Sequence, residues 1–232
     1  MDTITPAAFL AALQLADSSF PTGGYVHSQG LEGMVRRGVI TDAAGVEAFI
    51  ANGLIAALIP ADGVALLNAH RAALAADTAT LIAIDQHLHA GKLAAELRAA
   101  SRQVGRRLLA ETAALVADAT HADYRAAVVA GTAPGHAAVA LGATAAAQAI
   151  PAESALLAFC HSHTVGILGA ALRLLPFTHS QAQTIQHRLH PQIVRAARRI
   201  RHRHWRNLAA CAPELDLVAI GHEMDDLRQF AS

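Results

Sequence analysis

Histidine is the residue type with the most chemical promise in this chain, at 14 of 232 residues. Cys160-His161-Ser162-His163 is the one place where Cys and His cluster. On a helix, Cys160 and His163 share a face at i, i+3 while His161 points elsewhere. Two such ligands can begin a transition-metal site, but a closed site takes three or four. The spacing therefore reads as a buried helix face satisfied by hydrogen bonds, and a metal role would need a symmetry mate or another protein. His187 and His190 repeat the i, i+3 spacing, whereas His202 and His204 do not share a helix face. No metal site and no cofactor is expected within one chain.

Basic residues concentrate late. Arg195, Arg198, Arg199, Arg201, Arg203 and Arg206 follow one another with no acid among them and Trp205 beside them. On one helix, Arg195, Arg199, Arg203 and Arg206 would line a face. Such a stripe serves a solvated or internally paired surface, an acidic protein partner, or phosphate contacts on nucleic acid. Overall charge gives no help to the last, with 18 basic against 18 acidic residues and hence no global field for a polyanion. Catalytic templates are absent. Gly91-Lys92-Leu93 lacks the upstream glycine and the following Ser/Thr of a phosphate loop. No GxSxG, HExxH or CxxC occurs. His222-Glu223 is an acid–base pair on paper, better suited by its place near the chain end to a structural or interface role. No catalytic residue is assigned.

These side chains must be held by helices. Hydrophobic residues make up 53% of the chain, charged residues 16% and aromatics 4%, against about 25% charged in an ordinary domain. Most of the apolar share is alanine, which favours close-packed helices over a sheet. The excess over what a monomer usually carries points to self-association or partner surfaces. Thr5-Pro6 opens a helix over 6–17, and Pro21-Thr22-Gly23-Gly24 breaks the chain after it. A short helix from about Ser28 ends at Gly38, and Asp42 caps the next, up to Pro60. Further helices are expected over 62–76, 78–90, 93–117, 121–130, 136–149, 152–175, 179–189 and 191–210, with a short one after Pro213. Thr178 with Gln181 is a capping-box pattern, and Pro191 reads as the first residue of a new helix. Ser154–Leu172 carries no formal charge over a membrane-spanning length, but Cys160 to Thr164 place polar groups at its centre, so it reads as a buried helix. The fold class is all-α, a single-domain bundle of about ten helices. Two distant cysteines and the absence of a basic, apolar leader point to the cytoplasm.

Three blocks carry a resemblance. The first is Asp17-Ser18-Ser19-Phe20-Pro21-Thr22-Gly23-Gly24-Tyr25-Val26-His27-Ser28-Gln29-Gly30-Leu31-Glu32; the second is Glu96-Leu97-Arg98-Ala99-Ala100-Ser101 followed by Gly105. The third comprises Ala171-Leu172-Arg173-Leu174-Leu175-Pro176, then Gln181, Pro213-Glu214-Leu215-Asp216, and His222-Glu223 through Arg228-Gln229-Phe230-Ala231-Ser232. The chain resembles the urease accessory protein UreF family over nearly its whole length. It departs from the family pattern at 25–27, 178–180 and Gln229.

The resemblance implies a dimeric, non-enzymatic scaffold or chaperone. Its implied partners are a UreD-type accessory protein (also called UreH), a UreG-type GTPase and apo-urease, into which nickel is inserted with GTP hydrolysis on the GTPase. Residues 1–220 would form the all-α domain and 221–232 a partner-docking tail, with His222, Glu223, Arg228, Phe230 and Ser232 matching the family's docking segment. Pro21, Gly23, Gly24, Ser28, Gln29, Gly30, Glu32, Arg98, Arg173 and Gln181 match positions assigned to fold and interface, with Ser28 as a helix N-cap and Arg173 paired to a carboxylate. No nucleic-acid or membrane partner is implied. Two other readings of the residues stand beside it: a nucleic-acid-binding regulator using 195–206, and a metal-dependent enzyme using Cys160, His163 and His222-Glu223.

Overall fold

Local capping chemistry sets most helix starts in the computed structural model, which describes residues 3–23 and 28–209. The Thr5 hydroxyl accepts the Ala8 N–H at 3.2 Å and Pro6 fills the first turn of α1 (Pro6–Ala16). Asp42 caps α3 (Ala43–Gly53) by accepting from the Gly45 N–H at 2.8 Å. Asp77 and Asp118 do the same for α5 (Thr78–Gly91) and α7 (Ala119–Val129). Each such cap satisfies one of the N–H groups that a helix start leaves without an internal partner. At α10 (His179–Ile200), Thr178 and Gln181 form the full reciprocal capping box. The remaining helices are α2 (Leu31–Arg36), α4 (Val64–Leu74), α6 (Ala95–Thr112), α8 (Ala137–Ala147) and α9 (Ala152–Leu174). No strand occurs among the described residues, so the all-α expectation holds.

α6 ends at Thr112 rather than 117, and four other departures from expectation each have a physical reason. The helix begun at Ala43 does not stop at Pro60. Leu54–Gly63 widens into a π-helical stretch that takes the proline ring, and the helix continues into α4 for 32 residues in all. Pro191 does not open a new helix either. It sits on the exposed side of an unbroken α10, whose inward face (Ile185, Leu189, Ile193, Ala196, Ala197, Ile200) holds both halves against the core. α10 ends at Ile200 rather than near 210; a turn and a short 3-10 helix (Trp205–Asn207) follow, so Arg203 and Arg206 do not continue its face. Ser28 is not an N-cap. The cap of α2 is Gly30 at φ 88°, directly after Gln29 at φ 54°, and Ser28 Oγ instead accepts from the Glu32 N–H at 3.5 Å.

Alanine decides the packing. α8 buries Ala138 through Ala146 and is clasped by α4, α6 and α9. A Cβ on Gly142 would lie 2.6 Å from the Leu66 carbonyl oxygen, so α4 and α8 approach at a distance that only glycine permits there. Two stretches, Ala43–Leu74 and Ala152–Leu174, are long and apolar enough to cross a bilayer by length and composition alone. Both pack within the bundle, contributing to one contiguous core. α1 groups several outward-facing apolar residues on one helix. It buries Ala8 and Ala12 against α9 and turns Phe9, Leu10 and Leu13 outward at 50%, 66% and 53% exposure.

Candidate functional site

A groove of about 830 Å³ opens beside the inner face of α1. α1 contributes Leu15 and Ala16, the π-helical stretch Leu58 and Asp62, α6 Leu97 and Val104, and α9 Phe159 and Gly166. Its lining is mostly apolar, as a surface that excludes water from a partner requires. Ser162 Oγ on α9 donates to the Ala16 carbonyl at 2.9 Å and ties the end of α1 to the groove wall. Leu208 and Ala209 close one edge, where the Ala209 N–H reaches the Pro60 carbonyl at 3.3 Å.

Polar groups enter the groove at few points. Lys92 Nζ meets Asp62 Oδ2 at 2.7 Å, and both side chains are largely buried. Each removes the penalty of leaving the other as an isolated buried charge. His163 stands nearby on α9, and burial pushes its imidazole down to about 4, against a smaller opposing pull from Asp62. Cys160, one turn earlier, is fully buried and its thiol is pushed up to about 12 by burial and by Asp62. A protonated thiol is a poor nucleophile and a poor ligand. Among the described residues no three His, Cys, Asp or Glu side chains group closely enough to hold a metal ion. His187 and His190 do meet, with ring centroids 5.6 Å apart, and His161 Nδ1 pairs with Gln186 Nε2 at 2.7 Å.

Behind the groove lies a polar network that the sequence reading missed. Asp85 of α5 is wholly buried and accepts three hydrogen bonds: Tyr124 OH at 2.8 Å, the Gly135 N–H at 2.6 Å and the His136 N–H at 3.0 Å. Burial raises its carboxyl, opposed by these three donors, and pushes the Tyr124 hydroxyl well up. His136 is held between Ser101 Oγ at 3.0 Å and His89 Nδ1 at 3.1 Å. Burial first, then the charge of Lys92, drives His136 down to about 2, so it is neutral at physiological pH. Ser101 also accepts the Ala137 N–H at 3.4 Å and so caps α8 from a neighbouring helix. The Ser–His contact thus belongs to a capping arrangement, since Asp85 binds backbone and not the imidazole. One signal was available: Leu81, Ile84 and Leu88 surround Asp85 at helical spacing, which marks a carboxylate on a core face.

The sequence itself places the chain among known proteins. The profile of the family described as UreF matches residues 40–190. A protein of Brucella canis named urease accessory protein UreF 2 is 31% identical over 221 residues, covering 95% of this chain and 90% of the relative. Urease accessory protein UreF of Paenarthrobacter aurescens is 30% identical over 96% of this chain and 97% of its own length. That of Nostoc sp. is 31% identical over 99% and 98%. The chain belongs to the UreF family.

The residues that match UreF motifs fall into two groups. Ser28, Gly30 and Glu32 are buried at the start of α2, where the left-handed Gln29-Gly30 pair aims the helix, and Gln29 itself lines the groove. Pro21 lies on the exposed turn before Gly23, whose φ of 75° and position beside Arg107 bring that loop over α6. Arg98 Nη1 donates to the carbonyls of Lys92 and Leu93, at 2.5 and 2.7 Å, closing the link between α5 and α6. Gly105 lets α6 reach the chain before α8, since a Cβ there would sit 2.3 Å from the Gly135 oxygen. Arg173 stands in the last turn of α9 at the groove edge. Gln181 serves the capping box and does not line the groove. Gly24, His222, Glu223, Arg228, Phe230 and Ser232 lie outside the described residues, as do Cys211 and the segment after Pro213.

Proposed function

We propose that this chain is the scaffold subunit of a urease-maturation assembly. It joins a UreD/UreH-type accessory protein and a UreG-type GTPase, and the assembly readies apo-urease for nickel, which passes through as cargo while GTP is hydrolysed on the GTPase. The chain acts in the cytoplasm through shape and apolar contact, as a two-fold dimer, and supplies no catalytic group of its own. The observation that carries this reading is α1. A helix that packs with alanines and shows Phe9, Leu10 and Leu13 to solvent, beside an apolar groove, is built to be covered by protein. The relatives' name, urease accessory protein, supplies the process.

Residues 221–232 form the docking tail for the UreD-type protein in this reading, Phe230 as apolar anchor and Arg228 as planar cation. Co-expression with UreD- and UreG-type partners and apo-urease tests it. A complex containing all three accessory proteins is expected by size-exclusion chromatography, and urease activation is expected with it. Omitting this chain removes both. A pull-down of the UreD-type protein that survives deletion of 221–232 overturns the tail assignment. Urease activation undiminished without this chain overturns the whole reading.

A further inference from the structure

The densest run of basic side chains among the described residues stands at the end of α10, and no described carboxylate forms an ion pair with it. Arg195, Arg198, Arg199, Arg201, Arg203 and Arg206 are all exposed. The ion pair that α10 makes among the described residues belongs to Arg188, which meets Glu47 at 3.3 Å two turns before Arg195. Helix polarity accounts for Arg198 and Arg199, which lie in the last turn beside unsatisfied carbonyls. It does not account for Arg201, Arg203 and Arg206, which lie beyond the helix.

The backbone under those three is tied down. Arg71 Nη2 donates to the Arg201 carbonyl. Asn68 Nδ2, itself buried on α4, donates to the Arg203 carbonyl at 2.9 Å, and the Arg203 N–H donates to the Ile200 carbonyl at 2.8 Å. Trp205 is half-buried with its ring edge-on to His87 of α5 at 5.4 Å, and the Arg206 guanidinium lies 5.0 Å from the same ring. The fixed backbone under exposed guanidinium groups makes a cationic shelf whose main chain is ordered before anything binds, so the entropy lost on association is confined to the side chains.

We propose that this shelf docks an acidic segment of a protein partner, with Arg201, Arg203 and Arg206 taking its carboxylates. Guanidinium forks fit carboxylates in paired hydrogen bonds. One observation favours peptide over nucleic acid. The aromatic ring beside the cations is already engaged by Arg206, His87 and a stacked His204, so it offers no platform for a base. The inference concerns this chain's own charge and goes beyond the maturation reading, whichever partner that reading supplies.

The test titrates full-length protein into fluorescein-labelled octaglutamate, read by anisotropy in 50 mM NaCl, with labelled octathymidylate as the parallel probe. Binding of octaglutamate is expected, stronger than that of the oligonucleotide. The triple variant Arg201→Gln/Arg203→Gln/Arg206→Gln is expected to weaken it at least about fivefold, the sum of three exposed ion pairs. These substitutions keep the carbonyls that α4 holds, so the urea midpoint should not move; if it does, single Arg203→Gln and Arg206→Gln variants carry the test at about twofold each. The exposed pair Arg106→Gln/Arg125→Gln should leave binding unchanged. No binding of octaglutamate, equal loss in that second pair, an unaffected triple variant with unaffected singles, or tighter binding of octathymidylate would each overturn the proposal.

Discussion

Three donors converge on Asp85, and no other acceptor in the described structure is bonded to them there. Removing the carboxylate with Asp85→Ala strands the Tyr124 hydroxyl and two backbone N–H groups in the core, at about 1–3 kcal/mol each. A loss of about 4 kcal/mol or more is expected in urea unfolding, with Asp85→Asn recovering part because one oxygen remains to accept. His136 sets the acid limit. Its folded value of about 2 lies far below that of an unfolded histidine, so between the two the unfolded chain binds a proton that the folded chain does not. Stability therefore falls as pH drops below about 6.5 and continues falling toward the folded value. At pH 5 this one group accounts for about 2 kcal/mol. Urea midpoints measured at pH 7 and pH 5 should show the decline, and His136→Gln should reduce it while His163 keeps a part of the same sign; a midpoint indifferent to pH over that range contradicts the assignment. Gly105 is a steric matter. Gly105→Ala drives a methyl into the Gly135 carbonyl, and an overpacking loss of about 3 kcal/mol is expected by the same unfolding measurement. None of these partners is near Asp85 or Gly105 in the chain, which is why residue types alone could not pair them.

Helix ends follow rules of short range. The capping box at Thr178 and Gln181 was visible because both partners lie within one turn. Thr178→Ala should cost about 1 kcal/mol of stability, read as a lowered urea midpoint. The two prolines escape such rules for the opposite reason. Local propensity breaks a helix at Pro60 and at Pro191, but the buried faces on either side are held by the rest of the bundle and the helices continue through. α1 shows a different kind of element. Its outward Phe9, Leu10 and Leu13 contribute little to the free molecule, so Phe9→Ser/Leu13→Ser should change the urea midpoint by less than about 0.5 kcal/mol equivalent. The same variant should lose capture of the UreD-type protein or self-association on a sizing column. A variant that retains both would remove α1 from the interface.

The molecule as a whole is an alanine bundle in which small residues let helices approach and large apolar side chains are partly left over for the surface. That surplus was readable from composition, and the UreF assignment was readable from three short blocks. Where the surplus would appear was not. α1 offers apolar residues all round, and only its docking on α9 through Ala8 and Ala12 decides that Phe9, Leu10 and Leu13 face outward. The arginine stripe shows the same division. Its density is plain in the text, yet a continuous helix over 191–210 would have aligned Arg195, Arg199, Arg203 and Arg206. Asn68 and Arg71 of α4 instead hold a turn after Ile200, placing the last two on a separate shelf.

Taken by itself, the amino-acid order determined the all-helical class, the caps at Thr5, Asp42 and Thr178, the left-handed stop at Gly38 and the family. These depend on hydrogen bonds and steric limits within about four residues, or on motif identity, and both are carried in the local text. Tertiary structure decided the passage through both prolines, the Asp85–His136–Ser101 network, the Asp62–Lys92 pair and the outward face of α1. Those outcomes rest on contacts between groups 30 to 146 residues apart. Burial there fixes which polar atoms must find one another, and no periodicity along a single helix encodes the partner.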